Sequence, residues 1–278
     1  MLTRTACACA DTRREPDGRG TPVELVDSHA HLNHADYDDD RAEVLGRARC
    51  EGVVAIVNVG YDLASSARAV GMARCEPDCY AAVGIHPHDA TDVDEAALAR
   101  LGEWLTEPGV VAVGETGLDF YRDLAPRPAQ LTAFRRCLAL ARERDVPVVL
   151  HDRDAHAETL EVLRRDGVPA AGGVMHCFSG DTEMASACVG LGLHVGVTGV
   201  ITFGKSESLR AAARAVPIER LLIETDCPWL APEPRRGRRN EPAFVRHVLS
   251  ALAGALGRPP EDVAEVTSAN ARRLFRLG

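Results

Sequence analysis

Long apolar runs are missing from this sequence of 278 residues. No stretch approaches the ~18 uninterrupted apolar residues that a membrane helix needs, so we expect no membrane partner. The first segment, MLTRTACACADTRREPDGRG, is polar and lacks the apolar centre of a secretory signal. We interpret residues 1–22 as a disordered N-terminal extension. Residues 23–278 contain no visible linker, which predicts one domain.

A cysteine framework is missing as well. The nine cysteines are irregularly spaced and include no C-x-x-C pair. This pattern argues against a zinc ribbon and against a disulfide scaffold. Most of them fall inside apolar or helical segments, where a free thiol behaves as a small hydrophobic group. A reduced, cytoplasmic environment is the simplest expectation.

Basic residues are also relatively few, since 32 basic residues stand against 41 acidic ones and give a net charge of −9. This balance argues against a protein that coats DNA by bulk electrostatics. It leaves room for an enzyme that meets phosphates with metal ions and a few local arginines. One such cluster lies in EPRRGRRNEP, which contains Arg235, Arg236, Arg238 and Arg239. Aromatic residues make up only 4% of the chain, and no stacking ladder is evident.

Short β-rich runs alternate with amphipathic segments along the whole domain. Eight runs occur, and the segments between them carry apolar residues at three- and four-residue spacing. Strands that alternate with helices imply a parallel sheet covered by helices. Eight repeats predict an α/β fold in the form of a single (β/α)8 TIM barrel. An open doubly wound sheet is the alternative, although no G-x-G-x-x-G follows the first run. The runs span residues 24–31, 52–60, 79–87, 110–119, 147–154, 172–180, 193–202 and 220–228.

Ionisable side chains stand where these runs stop. In a barrel of this type, functional side chains gather at the C-terminal ends of the strands, so we expect them to converge on one mouth. Imidazoles and carboxylates without an inward cysteine suit Zn, Mn, Fe or Mg. The set is too large for one tetrahedral site and fits two ions that share a bridging carboxylate. The residues concerned are His29, His31, His86, Glu115, His151, His176 and Asp226.

The motifs, taken in order, resemble those of the TatD family of metal-dependent hydrolases, within the amidohydrolase-like superfamily of (β/α)8 barrels. The resemblance covers residues 24 to about 275 and is carried by DSHAH, GIHP, GETGLDFY, VPVVLHDRDA, HCFSG, ETDCPWLAP and RRGRRNEP. HxH alone would be a weak signal, whereas the ordered set is highly specific.

The resemblance implies a role for each motif residue. His29, His31, Glu115 and Asp226 would hold one divalent ion. Glu115 would bridge to a second ion, completed by His151 and His176. Asp226 would also orient or deprotonate the attacking water. Substrate contacts would come from His86, Arg153, Arg236 and Arg238. The ions would be Mg, Mn or Zn, and the catalytic residues would be Asp226, Glu115 and His86.

The implied activity is that of an exonuclease-type deoxyribonuclease, in which hydroxide held between the metal ions attacks a DNA phosphodiester. DNA would be bound locally by a monomer. Two alternatives stay open. The same metals could hydrolyse an ester or amide, such as an aminoacyl-tRNA bond or a lactone, or the barrel could be a non-catalytic metal-binding module. Fold alone does not decide among them.

The remaining histidines and the aromatic residues give weaker signals. We interpret the other histidines as structural or solvated, although His88 or His156 could border the substrate. Cys177 and Cys227 are expected to pack against helices. Five aromatic residues follow strand ends and could stack bases or pack in the core: Phe120, Tyr121, Phe178, Phe203 and Trp229.

Overall fold

The computed structural model describes residues 23–278, and the predicted extension over 1–22 lies outside them. Eight parallel strands occur in the order β1 to β8. Their bounds are β1 Leu25–Ala30, β2 Val53–Val59, β3 Cys79–Val83, β4 Val110–Asp119, β5 Val148–Arg153, β6 Gly173–Met175, β7 Leu193–Val197 and β8 Leu221–Ile223. A parallel bridge between Ala30 and Cys227 joins the first and last edges, so the sheet is a nearly closed barrel. The predicted TIM barrel is confirmed.

Helices separate and cover the strands. They are α1 Arg41–Cys50, α2 Leu63–Cys75, α3 Glu95–Trp104, α4 Arg127–Arg144, α5 His156–Asp166, α6 Thr182–Gly190, α7 Glu207–Ala215, α8 Val245–Leu256 and α9 Pro260–Phe275. Several begin at a side-chain cap, as α3 does where the Asp94 carboxylate accepts from the Ala97 amide at 2.7 Å. No helix in the described range is long and apolar enough to cross a membrane.

The apolar residues form two clusters. The larger one lies between the sheet and the helices. The smaller one contains alternate strand residues such as Val57, Val149 and Leu222, together with Leu274 and Phe275 from α9. Because side chains alternate along a strand, this smaller cluster fills the barrel interior. The end of α9 therefore covers the N-terminal end of the barrel.

On three strands, an inward-facing apolar residue stands an even number of positions before the predicted ligand. Val149 precedes His151 by two residues, Val174 precedes His176 by two, and Leu222 precedes Asp226 by four, all even steps. On β1 and β4 the pairing with the neighbouring strand shifts register, between Asp27 and Ala30 and between Val113 and Thr116. A one-residue shift moves a side chain to the other face. This explains how His29 and Glu115 point inward.

Candidate metal centre and its surroundings

Two histidines from the end of β1 form one wall of the site. Nε2 of His29 and Nε2 of His31 are 3.0 Å apart, and both rings are buried. Nδ1 of His31 contacts the Val59 carbonyl oxygen at 2.8 Å, which requires a proton on Nδ1 and leaves the Nε2 lone pair free. Nδ1 of His29 has no hydrogen-bond partner in the described chain.

Glu115 lies at the centre of the site, and its two oxygens face different histidines. Oε2 is 3.6 Å from Nε2 of His29 and 3.7 Å from Nε2 of His31. Oε1 is 2.8 Å from Nδ1 of His151 and 3.8 Å from Nε2 of His176. One carboxylate thus connects two groups of imidazoles, as a ligand shared by two ions must.

His151 is oriented by a carboxylate that sequence reasoning missed. Its Nε2 contacts Oδ2 of Asp119 at 3.2 Å, which turns Nδ1 toward Glu115. Asp119 is buried, and its Oδ1 accepts the backbone amides of Tyr121 at 3.0 Å and Arg122 at 2.7 Å. Its position in GETGLD, four residues after Glu115, was the available signal.

His176 has the corresponding partner in Glu224. Its Nδ1 is 2.8 Å from Oε1 of Glu224, so Nε2 is free to face the site. The same Oε1 accepts the Cys177 amide at 2.7 Å, and Oε2 accepts from the Ser28 hydroxyl at 3.2 Å. Carboxylates that bind the far nitrogen of a ligating histidine fix its tautomer and orientation. Glu224 was also missed, although it stands in the ETD motif.

Asp226 completes the cluster from the loop after β8. Its Oδ1 is 3.4 Å from Nε2 of His31, 3.8 Å from Nε2 of His29 and 3.7 Å from Nε2 of His176. Its backbone amide donates to the His29 carbonyl at 2.9 Å, and its φ is 55° in the left-handed region. Non-glycine residues in this conformation concentrate at functional sites.

The spacing of these donor atoms fits a metal ion. Donors ~2.1 Å from one tetrahedral ion lie about 3.4 Å apart. Four candidate donor atoms lie together: Nε2 of His29, Nε2 of His31, Oε2 of Glu115 and Oδ1 of Asp226. The five distances that involve a histidine nitrogen range from 3.0 to 3.8 Å. The donor set is imidazole and carboxylate, which suits divalent ions such as Zn or Mn. The residues therefore fit the predicted metal chemistry.

The charge of the site supports the same conclusion. Burial alone would raise the pKa of Glu115, but hydrogen bonds from His151 and His29 hold it well below its usual value. Burial opposes ionisation of Asp226 too, yet the His176 charge and a hydrogen bond from His31 lower its pKa. Two ionised carboxylates in a buried pocket need compensating positive charge, which protonated imidazoles or a metal cation can supply.

The histidines differ in their preference for protons. Burial first and the charge of His176 second lower the pKa of His29 to about 4. Burial lowers the pKa of His86 to about 3. Burial acts the same way on His151 and His176. However, the hydrogen bonds that His151 donates to Asp119 and Glu115 raise its pKa to about 9, and the charges of Glu224 and Asp226 raise the pKa of His176 to about 10.

His86 lies beside the cluster, beyond the end of β3. Its Nε2 is 3.8 Å from Oε1 of Glu115, and its ring centroid is 4.4 Å from that of His151. Its Nδ1 accepts the His88 backbone amide at 3.1 Å. Nε2 of His88 contacts Oδ2 of Asp119 at 2.9 Å, so His88 belongs to the hydrogen-bond network around the site.

The expected packing of Cys177 against helices assumed that the residue lies on a strand, which is wrong. Cys177 lies outside the described strands, with φ 44°, and its sulfur falls within 4.8 Å of ligand atoms of His176 and Asp226. Burial raises the pKa of its thiol well above the usual value. Cys227 is buried, as expected.

The predicted substrate arginines lie at the mouth, outside the cluster. Arg153, at the end of β5, stacks its guanidinium 4.0 Å from the ring centroid of Tyr121. Arg236 stacks 4.1 Å from the centroid of Phe203. Arg238 is exposed. By contrast, Arg239 forms an ion pair with Asp40 at 2.6 Å and has a structural role.

The arginine loop is tied back to the site. The Asn240 side-chain amide donates to the carbonyls of Thr225 at 2.8 Å and Trp229 at 2.6 Å. The backbone carbonyl of Asn240 accepts from the Tyr37 hydroxyl at 2.6 Å. The loop that contains Arg236 is thereby fixed relative to the residue preceding Asp226.

The five aromatic residues differ in exposure. Tyr121 is 60% exposed and Trp229 is 47% exposed, so both offer ring faces to a ligand. Trp229 lies 5.1 Å from the ring centroid of His31. Phe178 is buried and cannot stack on a base. Phe120 and Phe203 are partly buried and each lies beneath an arginine.

Comparison with known proteins identifies the family. The sequence profile described as "TatD related DNase" matches residues 26–276. The chain is 42% identical over 253 residues to the uncharacterized metal-dependent hydrolase YabD of Bacillus subtilis, covering 91% of this chain and 99% of that one. It is 40% identical over 259 residues to the 3′-5′ ssDNA/RNA exonuclease TatD of Edwardsiella piscicida, covering 91% and 100%.

A solved structure agrees with these sequence matches. The fold superimposes on that of YJJV, a TatD homologue from Escherichia coli, with a TM-score of 0.87 at 30% identity, covering 93% of this chain and 100% of the other. The sequence match, the barrel and the cluster of imidazoles and carboxylates agree, and this chain belongs to the TatD family of metal-dependent hydrolases.

Proposed function

We propose that this hydrolase is a nuclease that removes nucleotides from the end of a single DNA strand, using two divalent ions at the mouth of the barrel. One observation carries the proposal: the two oxygens of Glu115 face two separate sets of imidazoles. A relative that is 40% identical along its whole length is named a 3′-5′ ssDNA/RNA exonuclease, which supports the same activity.

The ligand assignment follows from this division. His29, His31 and Asp226 would hold the first ion together with Oε2 of Glu115. His151 and His176 would hold the second together with Oε1 of Glu115. When bound, a pair of Mg, Mn or Zn ions activates water and stabilises the charge that develops on a phosphodiester.

The protein's own side chains would handle the proton and the phosphate. Asp226 is the most exposed of the central carboxylates, with 14% of its side chain accessible against 6% for Glu115. It is therefore the group placed to accept the proton of an attacking water. His86 borders Glu115 and would contact the scissile phosphate through Nε2.

Unpaired arginines would supply the nucleic-acid contacts. Most arginines in the described chain form ion pairs with acidic residues. Several arginines at the mouth of the barrel form no ion pair within residues 23–278, although the chain as a whole is acidic. A phosphate backbone would compensate these charges locally, and the exposed rings of Tyr121 and Trp229 would stack on unpaired bases. The arginines are Arg122, Arg153, Arg235, Arg236 and Arg238.

Location and assembly remain predictions. Six cysteines of the described range, Cys75, Cys79, Cys137, Cys177, Cys188 and Cys227, are free thiols, which is compatible with a reducing cytoplasm. We favour a monomer because all proposed ligands come from one chain.

Substitution of Glu115 by Gln tests the proposal. The amide keeps the size of the side chain but cannot bridge two cations, so kcat on a 5′-labelled single-stranded oligonucleotide should fall by about a thousandfold or more. The matched control is Glu161→Gln on the exposed face of α5, which should keep full activity. Elemental analysis of both proteins should show metal loss only in the first.

Two results would overturn the proposal. Near-normal oligonucleotide hydrolysis by folded Glu115→Gln protein would exclude the bridging role. Hydrolysis of an aminoacyl ester or a lactone by the unmodified enzyme, with no phosphodiester cleavage across Mg, Mn and Zn, would replace the nuclease by an acyl hydrolase.

A further inference from the structure

A cavity lies at the end of the barrel opposite the candidate metal centre. Its volume is about 580 Å³, within the usual range for small-molecule sites. It opens beside the starts of β6, β7 and β8, whereas the metal-ligand candidates follow the ends of the strands. Its apolar wall includes Pro169, Leu191 and Leu274.

Two arginines in the lining carry uncompensated charge. Arg220 and Arg273 form no ion pair with any residue of the described range 23–278. Neutral oxygens orient them instead: Nη1 of Arg220 donates to the Gly192 carbonyl at 3.2 Å, and Nη2 of Arg273 donates to Oδ1 of Asn270 at 2.5 Å. These hydrogen bonds orient the two guanidinium groups. Because the acceptors are neutral, they do not compensate the positive charge of either group.

Asn270 makes this arrangement rigid. It is fully buried, and its amide nitrogen donates to the carbonyls of Ile218 at 2.8 Å and Leu221 at 2.9 Å. Its remaining oxygen holds Arg273. The exposed Arg273 side chain is thus oriented by a buried group that is itself fixed by two hydrogen bonds.

His194 adds a third nitrogen-bearing side chain to the lining. It is only 8% exposed, and its Nδ1 has no hydrogen-bond partner among the described residues. Burial first, and then the charges of Arg220 and Arg273, lower its pKa to about 4. The carboxylate at the rim, Glu219, is exposed and pairs with neither arginine in the described chain.

We propose that this cavity binds a small organic oxyanion, a phosphorylated or carboxylated metabolite. Its anionic group lies between Arg220 and Arg273, and its apolar part packs against Leu191 and Leu274. Guanidinium groups form strong charge-assisted hydrogen bonds with phosphate and carboxylate oxygens. The site shares no residue with the metal-ligand cluster, so the inference does not rest on the proposed nuclease activity.

Methyl NMR of the metal-loaded full chain locates binding directly. Inorganic phosphate, deoxyadenosine monophosphate and succinate are titrated separately, and the leucine methyl resonances are followed. Saturable shifts of the Leu191 and Leu274 methyls are expected with at least one probe. A phosphate-specific or a carboxylate-specific response identifies the anion class. Deoxyadenosine, which lacks the anion, should produce no shift.

Charge-removing variants provide the second arm. Replacing Arg220 and Arg273 together by Gln should weaken binding by about tenfold or more and leave nuclease activity unchanged. The matched control is the Arg164→Gln, Arg258→Gln double variant, which removes two exposed arginines that lie elsewhere. If the double variant does not fold, binding is measured instead with the single variant Arg273→Gln, which changes an exposed position.

The proposal is overturned if none of the probes shifts the Leu191 and Leu274 methyls in the millimolar range. It is also overturned if shifts occur only at the metal mouth, or if the Arg220 and Arg273 variants bind with unchanged affinity.

Discussion

Three of the four proposed ligating histidines present one defined nitrogen, because the other nitrogen is already engaged; in His29, Nδ1 has no partner among the described residues. Nδ1 is engaged in His31, by the Val59 carbonyl, and in His176, by Glu224. In His151 the roles are reversed, since Asp119 engages Nε2. The carboxylate partners lie 32 and 48 residues from the histidines that they orient. Metal affinity should therefore depend on residues that touch no metal.

Asp119→Asn tests this dependence at a single residue. The amide keeps the shape but removes the charge that holds His151, so affinity at the second metal position should fall about 10–100-fold. Calorimetric titration of metal-free protein with Mn²⁺ measures both positions. Asp123→Asn, an exposed change in the same loop, is the control and should bind as the unmodified protein does. Equal weakening of both positions would contradict a role specific to His151.

At the scale of elements, the sequence was sufficient for the barrel and for the segments that supply the ligands. The apolar run before each ligand predicts a strand, and parallel strands deliver their ends to one mouth. The two register shifts in β1 and β4 could not be predicted, because they depend on pairing with β2 and β5. Asp119 and Glu224 were missed for the same reason: their partners come from other strands.

The loop after β8 carries the element-scale prediction. If Arg236 and Arg238 contact the substrate backbone, replacing both by Ala should weaken binding of a single-stranded oligonucleotide. The slope of log K against log salt concentration should also become shallower by about 1.4, because each lost phosphate contact on a single strand contributes ~0.7 to the slope. Fluorescence anisotropy over a range of salt concentrations measures both effects. Arg246→Ala with Arg258→Ala is the control pair, and an unchanged slope in the test variant would make Arg236 and Arg238 simple loop charges.

For the molecule as a whole, the site joins segments from both ends of the chain. His29 and Asp226 come from opposite edges of the sheet, where the barrel closes through the bridge between Ala30 and Cys227. An ion that binds only the folded state stabilises it by about 2.7 kcal/mol at a hundredfold excess over Kd. Metal binding should therefore contribute to global stability through this closure.

Chelation tests that coupling. Removing both ions, with that stabilisation for each, should lower Tm by about 10–20 °C, taking ~2–4 °C per kcal/mol for a chain of this size. Differential scanning calorimetry with and without chelator measures the shift. Glu115→Gln protein should show little further change on chelation, because its metal binding is already impaired. Equal Tm values for the loaded and chelated unmodified protein would contradict the coupling.

Acid sensitivity of the whole fold should depend in part on His194. Its pKa is about 4 in the folded state against 6.5 for the ordinary group, so the unfolded chain binds an extra proton between these values. Folding stability from this residue is complete above about pH 6.5 and is lost as the pH falls toward 4, by roughly 3 kcal/mol in total. His194→Gln should flatten the dependence of unfolding free energy on pH in this window. Urea denaturation at several pH values measures the slope, and identical slopes for the two proteins would show that His194 is protonated equally in both states.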